Sequence, residues 1–589
     1  MALSCAVTLD VNVAALGADA LDVTLAYRAV ANGTNGTRAA WVYSAPTLVN
    51  ADAFSVSITV ARLRPGVDYE ARALTMSLDP SDGAISHVEL CAGAFTSATT
   101  GVAAFDDGPI ANVTGATPRY GVLYFDVQMA SFQGVVAIDA AGYVVWYYQV
   151  LRDENFAVMA FDKFPDHTHV VQAVGMDPWG YSELMLVEPS SGDVLAARVT
   201  GCSGGPGNYT QFTHEARVRP ARGDVLTIRE YVTKVASLAS TRGTDVTEVT
   251  LEGLGSSAYV FNDVIAAWKP DLSNASSSAA SAARRGLGNS SAFAGATNAT
   301  DDDGLYSVNG ELTELFGVLD HYDPVANTVD AANSYTMTHA MCGEDAGHIT
   351  VIDWSHASAV SVAESLGLLV VSLRNIDTVA AVDARTGALA WTLSAHDTVA
   401  SDFEWLGDDA KMYDVHGAYL IEELDLADDA GTNASARGVH RLLAFDGGNN
   451  RPGCEVNYTN CYSRAVEYEL DLANRSARLT WQFAYPYGAG AAEAARRRTD
   501  VFVKDGGSAL LFANDASDEK LYYVAFTSTS TAQWRDDAHI FVVDASGAVR
   551  TEIAVRRAYW SQVAAGLYRA LPSKSVYGES EDFPFTATH

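Results

Sequence analysis

Over residues 1–100 apolar and polar positions alternate in short runs: AVTLDVNV, LDVTLAYRAV, FSVSITVARL, YEARALTMSL and HVELCAGAF. Such alternation, broken by turn residues every ~8–12 positions, predicts the strands of a β-sandwich. From about residue 115 the texture becomes a recurring unit: a strand ending in an acidic residue, a turn with glycine, then a strand often carrying tryptophan. The copies are Ala137–Gly142 with Trp146, Val187–Gly192, Val382–Gly387 with Trp391, Leu470-Asp471 with Trp481, and Val543–Gly547. In each unit the acidic side chain can cap the turn, and glycine takes the φ > 0 position of a hairpin. The tryptophan then packs between sheets. Spacings of roughly 45 residues, or twice that where a copy is degenerate, suit four-stranded propeller blades. The pattern predicts an all-β chain: a sandwich over 1–100, then a six-bladed β-propeller over 115–575. Two stretches interrupt the propeller. Residues 272–304 are low-complexity Ser/Ala/Asn and predict a disordered surface loop, and residues 425–439 interrupt a blade in the same manner.

One segment of the sandwich, VSITVARLRPGVDYEARAL, resembles a fibronectin type III domain. In that family a Leu-x-Pro-Gly-x-x-Tyr stretch turns one sheet into the next, and Leu63, Pro65, Gly66 and Tyr69 fit it. Pro and Gly make the turn, and the tyrosine hydroxyl can bond back to backbone.

Composition narrows the function. The chain has 589 residues, 48% hydrophobic and 19% charged, which is globular. Its net charge of −34 leaves no basic stripe for nucleic acid or an anionic membrane surface. No apolar run reaches the ~18 residues of a spanning helix. The six cysteines, Cys5, Cys91, Cys202, Cys342, Cys454 and Cys461, form no CxxC pair. A Cys5–Cys91 staple and a Cys454–Cys461 loop are open pairings. Ten N-x-S/T sequons, from Asn32 to Asn474, lean toward a secreted or lumenal glycoprotein. The N-terminus, MALSCAVTLDVNVAALGADALDVTL, has neither the basic start nor the apolar core of a signal peptide.

Three of the thirteen histidines share one local template. His214 (FTHEARVRP), His356 (DWSHASAVSV) and His416 (YDVHGAYLIEE) each enter a short strand that is followed by a turn and an apolar return strand. Equivalent positions of successive blades point at one axis, so the three predict a common channel although 202 residues separate the first from the last. Arg374, ending the return strand after His356, belongs beside it. A lone turn histidine is usually a structural residue; three at one phase with an arginine are a candidate site. A three-histidine metal site is the competing chemistry, since imidazole triads bind zinc and copper. His167 and His169 form an H-x-H pair that reads as polar loop, because no carboxylate or cysteine with ligand spacing accompanies it.

The stretch from His348 to Asp397, then SDFEW and YDVHGAYLIEE, resembles the arylsulfotransferase family, its eukaryotic branch more than the bacterial periplasmic one. The residues that carry the resemblance are Asp353-Trp354-x-His356, Ser372-x-Arg374, the Asp383…Trp391 hairpin, Asp402-Phe403 and His416-Gly417. His214 and the strand RLLAFDGGNNR (441–451) extend it. Members pair an N-terminal β-sandwich with a six-bladed propeller. The resemblance implies transfer of a sulfuryl group from an aryl sulfate to a phenolic or other hydroxyl acceptor, with no cofactor and no nucleotide donor. It places the nucleophile at His416, which would form a sulfohistidine. His214 and His356 would bind sulfonate oxygens and move the phenol proton, and Arg374 would offer its fork of donors to the transferring group. The family commonly has Asn two residues after the DW-x-H histidine. Here Ser358 stands in that substrate-binding position, able to donate one hydrogen bond over a shorter reach. A non-catalytic, glycosylated secreted propeller for adhesion or scaffolding is the alternative outside enzymology.

Overall fold

A computed structural model of the chain describes residues 5–9, 20–30, 41–44, 47–50, 56–60, 63–78, 85–97, 102–116, 120–129, 132–150, 156–165, 168–175, 182–189, 192, 194–200, 210–236, 257–271, 306–307, 310–327, 335–340, 348–407, 409–421, 438–449, 451–454, 462–485, 506–513, 520–526, 537–556, 569–574 and 576. The insertion at 272–304, most of that at 425–439, His167 and Cys461 lie outside these residues, as do the side chains of Cys5 and Cys91.

The N-terminal alternation folds into two antiparallel sheets. One is ordered Val42–Tyr43, Ala20–Ala29, Asp68–Leu78, Ile85–Thr96, with Thr47–Asn50 also on Ala20–Ala29; the other pairs Cys5–Leu9 with Val56–Val60. Val23, Leu25, Tyr27, Tyr69, Ala71 and Ala73 point inward and are buried. The Leu63-x-Pro65-Gly66 turn forms as the sequence suggests. Gly66 sits at φ +64° and the Arg64 amide donates to the Tyr69 hydroxyl at 2.7 Å. Arg64 also reaches the next part of the chain, with Nε 2.7 Å from Asp139 and its guanidinium over the Tyr143 ring.

Six more sheets follow, each begun as an antiparallel meander. The first holds Val122–Met129, Phe132–Ile138 and Val144–Gln149. The second runs from Phe156–Lys163 to Val194–Thr200. The third holds Thr210–Arg219, Asp224–Ala236 and Ser257–Lys269, whose far edge is shared by Glu311–Gly317 and His348–Asp353. The fourth runs from Ala357–Ala363 to Leu389–Ser394, the fifth from Val415–Ile421 to Ser476–Ala484, and the sixth from Ser508–Ala513 to Val549–Arg556. The C-terminal strand Ala570–Ser573 pairs with Val122–Met129 and supplies the leading strand of the first sheet. Ala111–Gly115 pairs with Val549–Arg556, so this part of the chain begins by Ala111, ahead of the boundary at 115 that the repeats suggest. Ring closure therefore uses one strand ahead of the first sheet and one after the sixth, and neither carries the repeat signature.

The predicted capped turns all join the last two strands of a meander. Asp139 accepts from the amides of Ala141 and Tyr143, Asp383 from Arg385 and Thr386, and Asp544 from Ser546 and Ala548. Gly142, Gly387 and Gly547 follow at positive φ. In the degenerate copy Asp471 caps Ala473 and Asn474, and Arg475 takes the left-handed position at φ +50°. The tryptophans join neighbouring sheets. Trp146 Nε1 donates to the Pro189 carbonyl of the second sheet, and Trp481 stacks on Tyr522 of the sixth at 4.0 Å.

Apolar side chains do not form one central core. Among the described residues of these six sheets they form six clusters, each between two successive sheets, the last joining the sixth to the first. The leading strands of the second to sixth sheets contact one another in order, the sixth contacts Ala570–Ser573, and Phe156–Lys163 contacts Val122–Met129 of the first sheet. The result is a propeller-like ring whose inner edge is polar, because burial is satisfied at the faces between sheets. No helix among the described residues is long and apolar enough to cross a membrane.

Candidate active site

The three templated histidines stand in or directly before the leading strands of three consecutive sheets, the third, fourth and fifth. In each the ladder slips. The register shifts between Thr213 and Ala216, between Ala357 and Ala359, and between His416 and Tyr419. A bulge inserts an extra residue and re-aims a side chain away from the pleat. The backbone pays for it. His214 has φ +56° and His356 φ +47°, and in the third copy Gly417 takes the left-handed turn at φ +58°. A non-glycine residue held there costs ~1–3 kcal/mol, so two such histidines mark a site whose surroundings fix them. Their rings meet with centroids 4.4 Å apart.

Arg374 closes this group. It follows the strand Leu368–Leu373, and its amide donates to the His356 carbonyl at 3.0 Å. The next residue staples the same turn: Asn375 N bonds the Ser355 carbonyl, and Asn375 Nδ2 bonds that of Asp353 at 2.6 Å. The Arg374 guanidinium turns toward the fifth sheet, with Nε 2.7 Å from Asp414 Oδ1. Asp414 is itself held by the Asn449 amide at 2.9 Å, while its backbone N–H donates to Asp377 at 2.6 Å. Two residues on, His416 places Nε2 3.9 Å from Asp414 Oδ2. On the other side, His356 Nδ1 makes a short contact with Asp353 Oδ2, which fixes the ring and aims its Nε2 edge elsewhere.

Ser358 is fully buried and donates to the Val415 carbonyl at 2.9 Å, tying the fourth leading strand to the fifth one residue before His416. Ser372, from the Ser-x-Arg element, accepts from the Ala418 amide at 3.0 Å on the far side. The two serines bracket His416 from a neighbouring sheet.

Electrostatics follow from depth. His416 is held well below the usual imidazole range, first by burial and then by the charge of Arg374 and its two partner histidines. His214 is lowered in the same way, by burial and then by His356. Both imidazoles are therefore neutral at pH 7. Further cations line the ring. Arg569, just before the closing strand, forms a two-pronged pair with Glu215 at 2.5 and 2.6 Å, and Arg217 lies 3.6 Å from Glu215. Arg569 adds to the field that keeps His416 neutral. Local arginines thus offset the chain's acidity where an anion would sit.

The site takes in His214, His356, His416 and Arg374, with Ser358 behind His416. His169 belongs elsewhere. It is fully buried among Tyr124, Trp146 and Phe161 as a core aromatic. No group of three or more His, Cys, Asp or Glu among the described residues is arranged to hold a metal ion. Sequence reasoning missed Asp414, Asn449, Glu215 and Arg569. Asp414 sits in the quoted YDVH element, where an acidic residue two before a histidine was a usable signal. Arg569 lies 354 positions from Glu215, and nothing local marks it.

Residues 286–517 match the model of the arylsulfotransferase (ASST) family. The match supports that family and, with it, sulfuryl transfer from aryl sulfates in general. No curated protein matches the chain. Among solved structures it is similar to the periplasmic gluconolactonase of Pseudomonas aeruginosa, at 11% identity over 92% of this chain and 98% of that one, with a TM-score of 0.31. It is also similar to a protein of unknown function from Bacteroides caccae, at 11% identity over 70% of this chain and 90% of that one, with a TM-score of 0.26.

Proposed function

We propose that this protein is an arylsulfate sulfotransferase of the eukaryotic branch. In this reading it moves a sulfuryl group from an aryl sulfate to a phenolic or other hydroxyl acceptor through a sulfohistidine at His416. The six meander sheets are read as the blades of a six-bladed propeller, and the N-terminal sheets as a fibronectin type III-like module. The observation that carries the reading is the meeting of His214, His356, His416 and Arg374 on bulged leading strands of consecutive sheets.

The chemistry follows from the electrostatics. A neutral imidazole has a lone pair, and the low affinity of His416 for protons keeps that pair available. Its ring nitrogen attacks the sulfur. An N–S bond forms as the S–O(aryl) bond breaks, and the electron pair leaves on the phenolate oxygen. His356, oriented by Asp353, gives that oxygen its proton. The acceptor hydroxyl then returns a proton to His356 and attacks sulfur, and the N–S electron pair goes back to His416. The loose transition state spreads its negative charge over the sulfonate oxygens and the departing aryl oxygen, and the Arg374 fork and His214 act as donors to it. Arg374 is preorganised by Asp414, so little reorganisation is needed.

A secretory or lumenal setting is part of the proposal. Cys454 is disulfide-bonded, and Asn112 and Asn474, two of the sequon asparagines, are exposed. The deciding experiment incubates purified protein with an aryl sulfate and a second phenol, without nucleotide. Sulfate exchange that vanishes in His416→Ala supports the reading; undiminished exchange in that variant ends the assignment of the nucleophile.

A further inference from the structure

Behind His356 lies a feature that sulfuryl transfer alone does not call for. Asp263, fully buried in the strand Ser257–Lys269 of the third sheet, reaches across to the fourth. Its Oδ2 accepts from the Ser355 hydroxyl at 2.6 Å and from the Ala357 amide at 2.9 Å. These are the two residues flanking His356, whose own φ is +47°. One carboxylate oxygen thus clamps both ends of the strained turn. Its other oxygen, Oδ1, is buried with no hydrogen-bond partner among the described residues. Directly opposite on the neighbouring strand stands Glu230, which takes a short hydrogen bond from Gln211. With Asp353 they make a row of three buried carboxyls: Asp263 and Asp353 both act on Glu230, and Asp353 acts on Asp263.

We propose that Asp263, backed by Glu230, is a positioning residue for His356, fixing the turn by its two hydrogen bonds and keeping the imidazole in its proton-donating form by its negative charge. This rests on the reading of His356 as the group that protonates the departing phenolate. Buried like charges cannot all ionise together, so the row keeps a proton. Glu230 is pushed well above the carboxylate range by burial and by Asp263, and is the holder of that proton. Asp263, pushed up to about 6 by burial and by Asp353, is then charged at neutral pH. His356 faces Asp353 on its own turn, His214 on the third leading strand, Asp263 from the third strand of that sheet, Arg374 at the end of the next strand, and His416 on the fifth sheet. Against the cationic and neutral groups on the channel side, the anionic side of the ring is this row.

The test uses the full chain labelled with ε1-13C-histidine, with the His356 signal assigned by its loss in His356→Gln. Asp263→Asn keeps an oxygen for Ser355 and Ala357 but removes the charge. The His356 titration midpoint is expected to fall by about one pH unit, and the alkaline limb of phenol release to move down with it. Asp263→Ala loses the clamp as well and lowers kcat further, with the Asn variant partly rescuing it. An unmoved midpoint in folded Asp263→Asn reduces Asp263 to a structural residue and overturns the proposal. Should that variant fail to fold, Ser355→Ala replaces it. Losing the serine hydrogen bond raises Asp263, so the His356 midpoint is expected to drop by a few tenths of a unit; no drop overturns the proposal. The titration needs no turnover. A protein that shows the shift yet transfers no sulfate refutes the transferase reading and leaves the coupling of Asp263 to His356 standing.

Discussion

Arg374→Ala separates what the arginine does for the fold from what it does for the reaction. Arg374 and Asp414 are each 2% exposed and meet at 2.7 Å. Removing the cation leaves Asp414 buried with the Asn449 amide as its neutral donor. Breaking a buried pair from one side costs about 3–5 kcal/mol, so the urea midpoint falls markedly. In the reaction the same change removes a donor to the transferring sulfonate. Loss of such a donor costs about 2–4 kcal/mol, or roughly 30- to 1000-fold in kcat. The pH profile moves as well. Arg374 is one cause of the low proton affinity of His416, so removing it lets that affinity rise toward the ordinary value. The nucleophile is then protonated, and lost, at higher pH, so the acid limb of kcat shifts upward. The assay is phenol release from an aryl sulfate across pH, beside urea unfolding of the same preparations. A folded Arg374→Ala protein with kcat within threefold of wild type and an unmoved acid limb would refute the role given to the arginine.

Other expectations follow from single contacts. Ser358→Ala removes a hydrogen bond to the Val415 carbonyl and costs about 1 kcal/mol of stability in urea unfolding; KM for the aryl sulfate stays unchanged if Ser358 supports His416, and rises if it binds substrate. Arg569→Ala removes the two-pronged partner of the buried Glu215, leaving only the longer Arg217 contact and the Ala216 amide among the described residues, and lowers stability by about 3 kcal/mol, with the loss easing in acid as Glu215 takes up a proton. Because Asp263 is raised above its unfolded value, its contribution is fully present below pH ~4 and is lost as pH rises through about 6. Relative to wild type, Asp263→Asn should therefore gain stability between those values, read as a widening difference in thermal midpoint.

The legible parts of the fold are those written locally. Alternation marks strands, and an Asp followed by Gly marks the hairpin at Asp139, Asp383 and Asp544, because capping and positive φ are satisfied within a few residues. The histidine template was legible because each copy enters a short strand that is followed by a turn and an apolar return strand. What it could not reveal is how the rings come to face one another. That depends on ladder slips near Thr213, Ala357 and His416, and in the first two copies a histidine rather than a glycine takes the left-handed position, which leaves no residue signature. The supporting charges were less visible still. Asp263 serves His356 from another sheet, and Arg569 meets Glu215 only because the C-terminal strand closes the ring.

The claim that His416 becomes covalently sulfated is tested most directly by trapping. Protein is mixed with excess aryl sulfate and no acceptor, quenched in base, digested and analysed by mass spectrometry. The account predicts a burst of one phenol per active site and the mass gain of one SO3 group on the peptide containing His416, discharged by added phenol. A burst with the label on another residue, or steady transfer with no labelled intermediate, would contradict it.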